Sequence, residues 1–484
     1  MSLKQKTISG LLWSFIDQFA NQGISFIVGI ILARLLSPRE FGLIGMIVVF
    51  IAVSESFINS GFSSALIRKK DCTQTDYSTV FFFNLIAGIV FFVILFFSAP
   101  AIGEFFNEPE LKSIVQVLGF VLILGSLTII QRTILTKRID FKLQARISVI
   151  ASIGSGIIAL TMAFTGFGLW SLVAQRLSRE AFNSIFLWLW NRWKPMFVFS
   201  KHSFKELFGF GSKIMLNGLL DTLYENINSL VIGKFFSAQD LGFYTRSVLF
   251  KDIFSTNLNS IIGRVTYPVL SAMQDDKEKL KTNYQKIIRS TMLITFILML
   301  GMVAIAEPLI LSLIGEKWRQ SIIYLQMLCF AGMLYPLMAL NLNMLQVQGR
   351  PDLFLKLGII KKFFALPGII FGIYIGIEAM IAWMIFNSFI SYYLNSYYSG
   401  EMINYPMKEQ IKDISPSFGL ATAMTITLYL LGLVISFAPV WKLIIQLTAG
   451  ALFIFITCEL TKFKDYIFIK ELVFEKINEI KKKK

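Results

Sequence analysis

Long apolar stretches alternate along the whole chain with short segments rich in polar and basic residues. A helix that crosses the hydrocarbon layer of a membrane needs about 20 apolar residues. Windows of that length predict fourteen spans, numbered here in chain order. They lie near residues 10–33, 41–66, 78–99, 113–131, 147–166, 168–190, 214–234, 242–267, 288–312, 321–346, 357–375, 378–398, 417–437 and 441–460. The count falls to twelve if the pair 147–190, the pair 357–398 or the last pair is misread.

The composition agrees with a chain surrounded by lipid. Hydrophobic residues make up 55% of it, charged residues only 16%, and phenylalanine alone numbers 47. A soluble domain has roughly 45–50% apolar and about 25% charged residues. A soluble core of this size cannot bury such an excess of apolar surface. We therefore predict an all-α, polytopic membrane protein.

Basic residues are distributed unequally between the two sides of the predicted membrane. With the N-terminus placed in the cytoplasm, the inner segments carry 34 of the 46 Lys and Arg residues, and the outer loops carry 7. This asymmetry is the one that the positive-inside rule describes. We therefore expect an even number of spans and both termini in the cytoplasm. The net charge of +16 then reflects contact with anionic lipids of the inner leaflet rather than with nucleic acid.

The sequence repeats itself at an offset of 200 residues. Segments 35–43 and 235–243 keep the same chemical character at nearly every position, and Asn59 recurs as Asn259. The offset relates spans of equal orientation, so it predicts two six-helix lobes in a parallel repeat. The predicted organisation is an N-lobe of spans 1–6 over 1–190, an interfacial amphipathic linker over 191–213, a C-lobe of spans 7–12 over 214–398, two further C-terminal spans over 399–460, and a basic cytoplasmic tail over 461–484.

Polar side chains recur at helical spacing on one face of spans 1, 2, 7 and 8. Lipid does not solvate them, so they face either another helix across a dry interface or a watery cavity. Both interpretations are open at this point. The cavity interpretation assigns a polar lining to Gln18, Asn21, Asn59, Asn217 and Asn259. It assigns ion coupling or gating to the acidic residues Asp17, Glu55, Asp221, Glu225 and Asp252.

Five basic residues also lie inside the predicted spans, namely Arg176, Arg179, Arg246, Lys251 and Arg264. Guanidinium and ammonium groups suit phosphate and pyrophosphate, so we predict that these residues bind an anionic headgroup. Two alternatives are open. Arg176 precedes Glu180 by four residues and would pair with it on the same helix. Arg246 and Arg264 lie towards the two ends of span 8 and would extend to the interface.

Metal and triad chemistry have little basis in this sequence, which contains three cysteines and one histidine. No cysteine spacing is typical of a zinc site or of a disulfide framework. The outer loops are too short to hold a sugar acceptor beside catalytic groups. We therefore expect no catalytic residues, no metal and no cofactor, and a membrane polysaccharide polymerase or glycosyltransferase is the less favoured alternative.

Three local stretches carry a family resemblance: Trp13-Ser14, the run over 30–42, and the stretch over 59–62. They resemble the polysaccharide exporters of the multidrug/oligosaccharidyl-lipid/polysaccharide (MOP) superfamily, and the nearest members are Wzx-type flippases. The resemblance implies that the chain moves undecaprenyl-pyrophosphate-linked oligosaccharide, a repeat unit of O-antigen, capsule or exopolysaccharide, from the cytoplasmic to the periplasmic leaflet. It also implies alternating access, with spans 1, 2, 7 and 8 around a central cavity.

The same resemblance sets expectations for location and partners. It implies the bacterial inner membrane, a lipid-linked oligosaccharide and membrane lipids as ligands, an association with polysaccharide polymerase machinery, and H⁺ or Na⁺ as the coupling ion. A cation-coupled multidrug exporter of the same superfamily is the alternative. Acidic cavities suit cationic drugs, whereas five basic residues within the spans favour an anionic substrate.

Overall fold

The computed structural model describes residues 3–482, without the side chains of 3–8, 11, 254, 256–265, 267–268, 472–473 and 476–482. Over this part of the chain all regular structure is helical, which confirms the predicted fold class. The α-helices are α1 Leu3–Leu35, α2 Pro38–Asn59, α3 Phe62–Arg68, α4 Gln74–Phe106, α5 Leu111–Leu118, α6 Phe120–Lys137, α7 Phe141–Phe164, α8 Trp170–Asn191, α9 Lys201–Phe235, α10 Ala238–Ser271, α11 Lys277–Leu313, α12 Ser321–Gly332, α13 Tyr335–Val347, α14 Pro351–Ile375, α15 Ile377–Met402, α16 Met407–Val434, α17 Pro439–Leu460 and α18 Lys464–Lys482.

Ten helical segments within the described residues are long and apolar enough to cross a membrane, and each coincides with a predicted span. The other four predicted spans lie in α8, α9, α10 and α14, which are helices of 22 to 35 residues. Three of these four, α8, α9 and α10, contain the five basic residues predicted within the spans and three of the five predicted coupling carboxylates, and these charges lower their mean hydropathy. The total of fourteen stays a prediction.

Glycines divide the two closely spaced pairs of spans. Gly166 and Gly168 have φ angles of +86° and +52° and separate α7 from α8. Gly376, with φ +135°, separates α14 from α15. These positive φ angles are costly for residues with a Cβ atom, so the glycines permit a sharp turn. Each of these pairs of predicted spans therefore forms two separate helices.

The chain forms two compact units, Met1–Gly242 and Phe243–Lys484. In the first unit, α7 packs against α1 and α8, α4 packs against α6, and α9 packs against α2, α3 and α4. Span 7 therefore belongs to the first unit, although the sequence places it in the second lobe. The predicted lobe boundaries stay a prediction.

The segment predicted as a separate interfacial linker differs in the structure. Residues 192–200 form no regular secondary structure, and α9 then runs from Lys201 into span 7 without a break. Phe204 and Phe208 both pack on the ring of Phe62 and remain partly exposed. Part of the predicted apolar face therefore packs on protein, and its contact with the membrane surface stays a prediction.

Side chains of α4 hold the non-helical residues 192–200 in place. Ser78 Oγ accepts a hydrogen bond from the amide of Met196 at 2.9 Å, and Thr79 Oγ1 accepts one from the amide of Ser200 at 3.1 Å. Gln74 accepts from the Trp193 indole at 2.8 Å. Backbone amides of this stretch therefore bond to side chains of a neighbouring helix, and the start of α9 is fixed to the first unit.

In the second unit, α11 is the central helix and packs against α12, α16, α17 and α18. Ion pairs fix this packing at both ends of α11. Glu307 lies 3.1 Å from Lys442 of α17, and Arg289 lies 2.9 Å from Asp465 of α18. The two C-terminal spans, α16 and α17, are therefore integrated into the second unit.

Candidate functional site

The polar stripe of α1 faces α7. Asn21 Nδ2 donates hydrogen bonds to Asp17 Oδ1 at 2.6 Å and to Ser148 Oγ at 3.0 Å. The Ser148 hydroxyl also donates to Asp17, and the Ser152 hydroxyl donates to Asn21. Two of the predicted residues are thus part of a hydrogen-bonded contact between two helices, and both remain partly exposed.

Sequence reasoning missed the partner serines of this contact. Ser148, Ser152 and Ser155 recur at helical spacing in the otherwise apolar span 5, so the signal was present. Small polar residues are tolerated in membrane helices, so these serines were not recognised as a polar face that meets another helix.

The α1–α7 contact yields a stability prediction. Replacing Asn21 by leucine removes its bonds to Asp17, Ser148 and Ser152, and we expect the apparent free energy of unfolding to fall by about 2–3 kcal/mol, because buried polar partners are left unsatisfied. Thermal unfolding of the purified protein in detergent measures this change. Gly23→Ala on the same helix is the control, since a methyl group there meets no atom within 4 Å. Equal melting temperatures for both variants would contradict the prediction.

A second cluster of predicted residues joins α2 to α8. Arg176 Nη2 lies 3.9 Å from Glu55 Oε1, and both side chains remain partly exposed, at 31% and 50%. The structure therefore pairs Arg176 with a carboxylate on another helix, and Glu180 lies within electrostatic reach of that same Glu55 carboxylate. Arg179 lies within electrostatic reach of Asp17 and Glu180. The first unit thus brings together two predicted headgroup cations and two predicted coupling carboxylates.

The polar stripe of α9 is exposed. Asn217, Asp221 and Glu225 follow one another at intervals of four residues on one helix face, and each side chain is exposed. Carboxylates at membrane depth face a watery space or a polar ligand rather than acyl chains. The α9 stripe is therefore the part of the predicted site whose surroundings best fit a cavity.

Asn59 at the end of α2 bonds locally, because its Oδ1 accepts from the Ser63 hydroxyl at 3.0 Å. One turn earlier, Ser56 and Thr222 share a hydrogen bond of 3.2 Å between α2 and α9. Gln18 on α1 is partly buried. Asn59 is itself exposed, so its role in lining a cavity stays a prediction.

In the second unit, Lys251 Nζ lies 2.7 Å from Asp252 Oδ1, and Ser255 donates to the same carboxylate oxygen at 3.2 Å. A predicted cation and a predicted coupling residue are therefore adjacent in sequence and paired in space. Arg246 is partly buried on the same helix. The side chains of Asn259 and Arg264, both within α10, lie outside the described residues.

Comparison with known proteins places this architecture in a family. Residues 31–323 match the family described as "Polysaccharide biosynthesis protein". The chain belongs to this polysaccharide biosynthesis family. The resemblance to polysaccharide exporters found in the sequence is confirmed, and the chain is a multi-span membrane protein.

Two relatives illustrate the range of the polysaccharide biosynthesis family. The lipopolysaccharide biosynthesis protein WzxC of Escherichia coli (strain K12) is 27% identical over 379 residues, which cover 77% of this chain and 76% of that protein. The succinoglycan biosynthesis transport protein ExoT of Rhizobium meliloti (strain 1021) is 27% identical over 309 residues, which cover 63% of this chain and 62% of that protein.

A solved structure shares the fold. The lipid II flippase MurJ, in an inward closed conformation, superimposes with a TM-score of 0.73 at 14% identity, and the match covers 96% of this chain and 100% of that chain. At this identity the similarity concerns the fold alone.

Proposed function

We propose that this chain is a flippase for a lipid-linked oligosaccharide, and that it moves an undecaprenyl-pyrophosphate-linked repeat unit from the cytoplasmic to the periplasmic leaflet of a bacterial inner membrane. Membership of the polysaccharide biosynthesis family supports the substrate class. The mixed-charge cluster of the first unit carries the proposal, because the Arg176–Glu55 pair joins two helices and remains partly exposed at predicted membrane depth.

The chemistry of that cluster fits an anionic, sugar-bearing lipid. An arginine that is already paired with a carboxylate can exchange that partner for a phosphate oxygen, and the guanidinium group binds such oxygens bidentately. The exposed carboxylates Asp221 and Glu225 on α9 would take up H⁺ or Na⁺ and so couple transport to an ion gradient. In this account the chain moves its substrate without changing a covalent bond, and both termini lie in the cytoplasm.

Depletion of the chain in the bacterium that produces it tests this proposal. We expect undecaprenyl-pyrophosphate-linked oligosaccharide to accumulate on the cytoplasmic side and surface polysaccharide to decrease, and we expect the wild-type chain to reverse both effects. An increase in sensitivity to cationic drugs with unchanged surface polysaccharide would contradict the proposal and favour the multidrug exporter. Association with a polymerase would appear as co-purification and is a separate question.

A further inference from the structure

The starts of α2 and α10 have the same local structure at the offset of the internal repeat. Ser37 donates hydrogen bonds to Glu40 from its amide at 2.6 Å and from its hydroxyl at 2.9 Å. Ser237 donates to Asp240 from the corresponding atoms at 3.2 and 2.6 Å. Each serine–carboxylate pair caps the first turn of its helix.

The two helix starts touch through their backbones, where a glycine of each repeat meets the first residue of the other helix. A methyl group added at Gly42 would overlap the carbonyl oxygen of Ala238 and lie 3.0 Å from the amide nitrogen of Gly242. A methyl group at Gly242 would overlap the carbonyl oxygen of Pro38 and lie 2.7 Å from its carbonyl carbon. The contact is therefore reciprocal, and all its residues lie within the unit Met1–Gly242.

Like Gly42 and Gly242, Gly61 and Gly211 form such a backbone contact, just beyond the other end of α2, but most other glycines lack it. Gly125 and Gly218, for example, have no neighbouring atom within 4 Å of an added methyl group. Membrane helices whose backbones approach this closely are held by dispersion and by weak Cα–H···O contacts, which small residues permit. Such a contact is specific in geometry, because only residues without a larger side chain allow the two backbones to approach this closely.

We propose that this glycine contact, called here the outer clasp (Pro38, Gly42, Ala238 and Gly242), is the closure on the outer side of the transport path, and that its two helix starts part when substrate is released outward. The charge pattern predicts that both helix starts lie on the outer side. The contact is reciprocal because the repeat supplies equivalent positions on both sides. The outer clasp therefore consists of two copies of one sequence motif. The role of the outer clasp in transport rests on the proposed flippase function, whereas its structure does not.

The first test measures the clasp itself. Spin labels are placed at Leu35→Cys and Phe235→Cys, exposed repeat-related positions that precede the two helix starts, in a chain whose Cys72, Cys329 and Cys458 are replaced by serine. In lipid nanodiscs, Gly42→Ala and Gly242→Ala are each expected to shift the distance between labels to longer values by about 5 Å. Gly125→Ala should leave the distance unchanged.

Gly211→Ala separates release of the clasp from a general loss of packing. A methyl group there would lie 2.6 Å from the carbonyl oxygen of Ser60, at the predicted inner end of α2. We expect this variant to lower the melting temperature without lengthening the outer distance. Outer distances that are equal in the Gly42→Ala, Gly242→Ala and Gly125→Ala variants would overturn the proposal, as would an equal lengthening in Gly211→Ala.

The second test addresses transport and does not depend on the glycine variants folding. A short cleavable crosslink between Leu35→Cys and Phe235→Cys should abolish oligosaccharide transport in proteoliposomes, and cleavage should restore it. Full transport with the crosslink complete would overturn the role of the clasp. If the uncrosslinked protein transports no oligosaccharide, the flippase proposal fails, and the distance measurement still decides whether the clasp exists.

Discussion

Replacing Arg176 by glutamine should reduce oligosaccharide transport at least about tenfold, because a lost charge-assisted hydrogen bond to phosphate costs about 1.5–3 kcal/mol and 1.4 kcal/mol corresponds to a factor of ten. The Arg176 guanidinium group lies 3.9 Å from Glu55 and is 31% exposed, so it is accessible to a ligand. Transport of a fluorescent lipid-linked oligosaccharide in proteoliposomes measures the effect. Arg192→Gln, at the end of the same helix, removes an exposed arginine away from the cluster and should transport normally.

A double variant distinguishes a binding role for Arg176 from a purely structural one. Glu55→Gln removes the partner carboxylate, so the variant that carries both changes leaves neither member of this ion pair charged. If Arg176 only neutralises Glu55, the double variant should recover both stability and transport. We expect it to recover stability but not transport, because the phosphate ligand is still missing. Recovery of full transport in the double variant would remove Arg176 from the headgroup site.

Replacing Gln410 by leucine should destabilise the second unit by about 2–4 kcal/mol, since several buried polar atoms lose their partners together. Gln410 Nε2 donates to Asn341 Oδ1 at 3.2 Å and to the Tyr405 carbonyl at 3.1 Å. Asn341 Nδ2 returns a bond to Gln410 Oε1 at 3.2 Å. Both amide side chains are fully buried, so neither finds water when the other is removed.

The apparent melting temperature in detergent measures this loss. Thr427→Val on the same helix serves as the control, because Thr427 is exposed and its hydroxyl bonds to Ala423 of its own helix. We expect a clear decrease for Gln410→Leu and little change for Thr427→Val. A Gln410→Leu variant as stable as the control would mean that the buried network does not hold α13 and α16 together.

The sequence predicts those features of the fold that depend on local chemistry. The repeat-related segments 35–43 and 235–243, which lie at the starts of predicted spans 2 and 8, contain the starts of α2 and α10. The boundary between predicted spans 11 and 12 likewise coincides with the break between α14 and α15 at Gly376. Capping, turns and apolar periodicity act over a few residues, so one sequence is enough to recognise them.

Such local patterns could not identify the residues that contact the polar stripes. The stripe of α1 shows which face is polar, but its partner Ser148 lies 131 residues from Asp17. Periodicity likewise found the apolar face of the segment before span 7 but could not tell that Phe62 packs against part of it. A helical pattern defines a face, and only the tertiary packing decides whether lipid, water or another helix meets it.

The most direct measurement is a leaflet assay in proteoliposomes. The lipid-linked oligosaccharide of the producing bacterium is incorporated, and an external glycosidase reports the fraction that reaches the outer leaflet. Our account predicts that exposure rises above that of protein-free vesicles in proportion to the amount of protein, and that it depends on an imposed H⁺ or Na⁺ gradient. Exposure equal to that of protein-free vesicles, with this glycan and with either gradient, would contradict the assignment as a flippase.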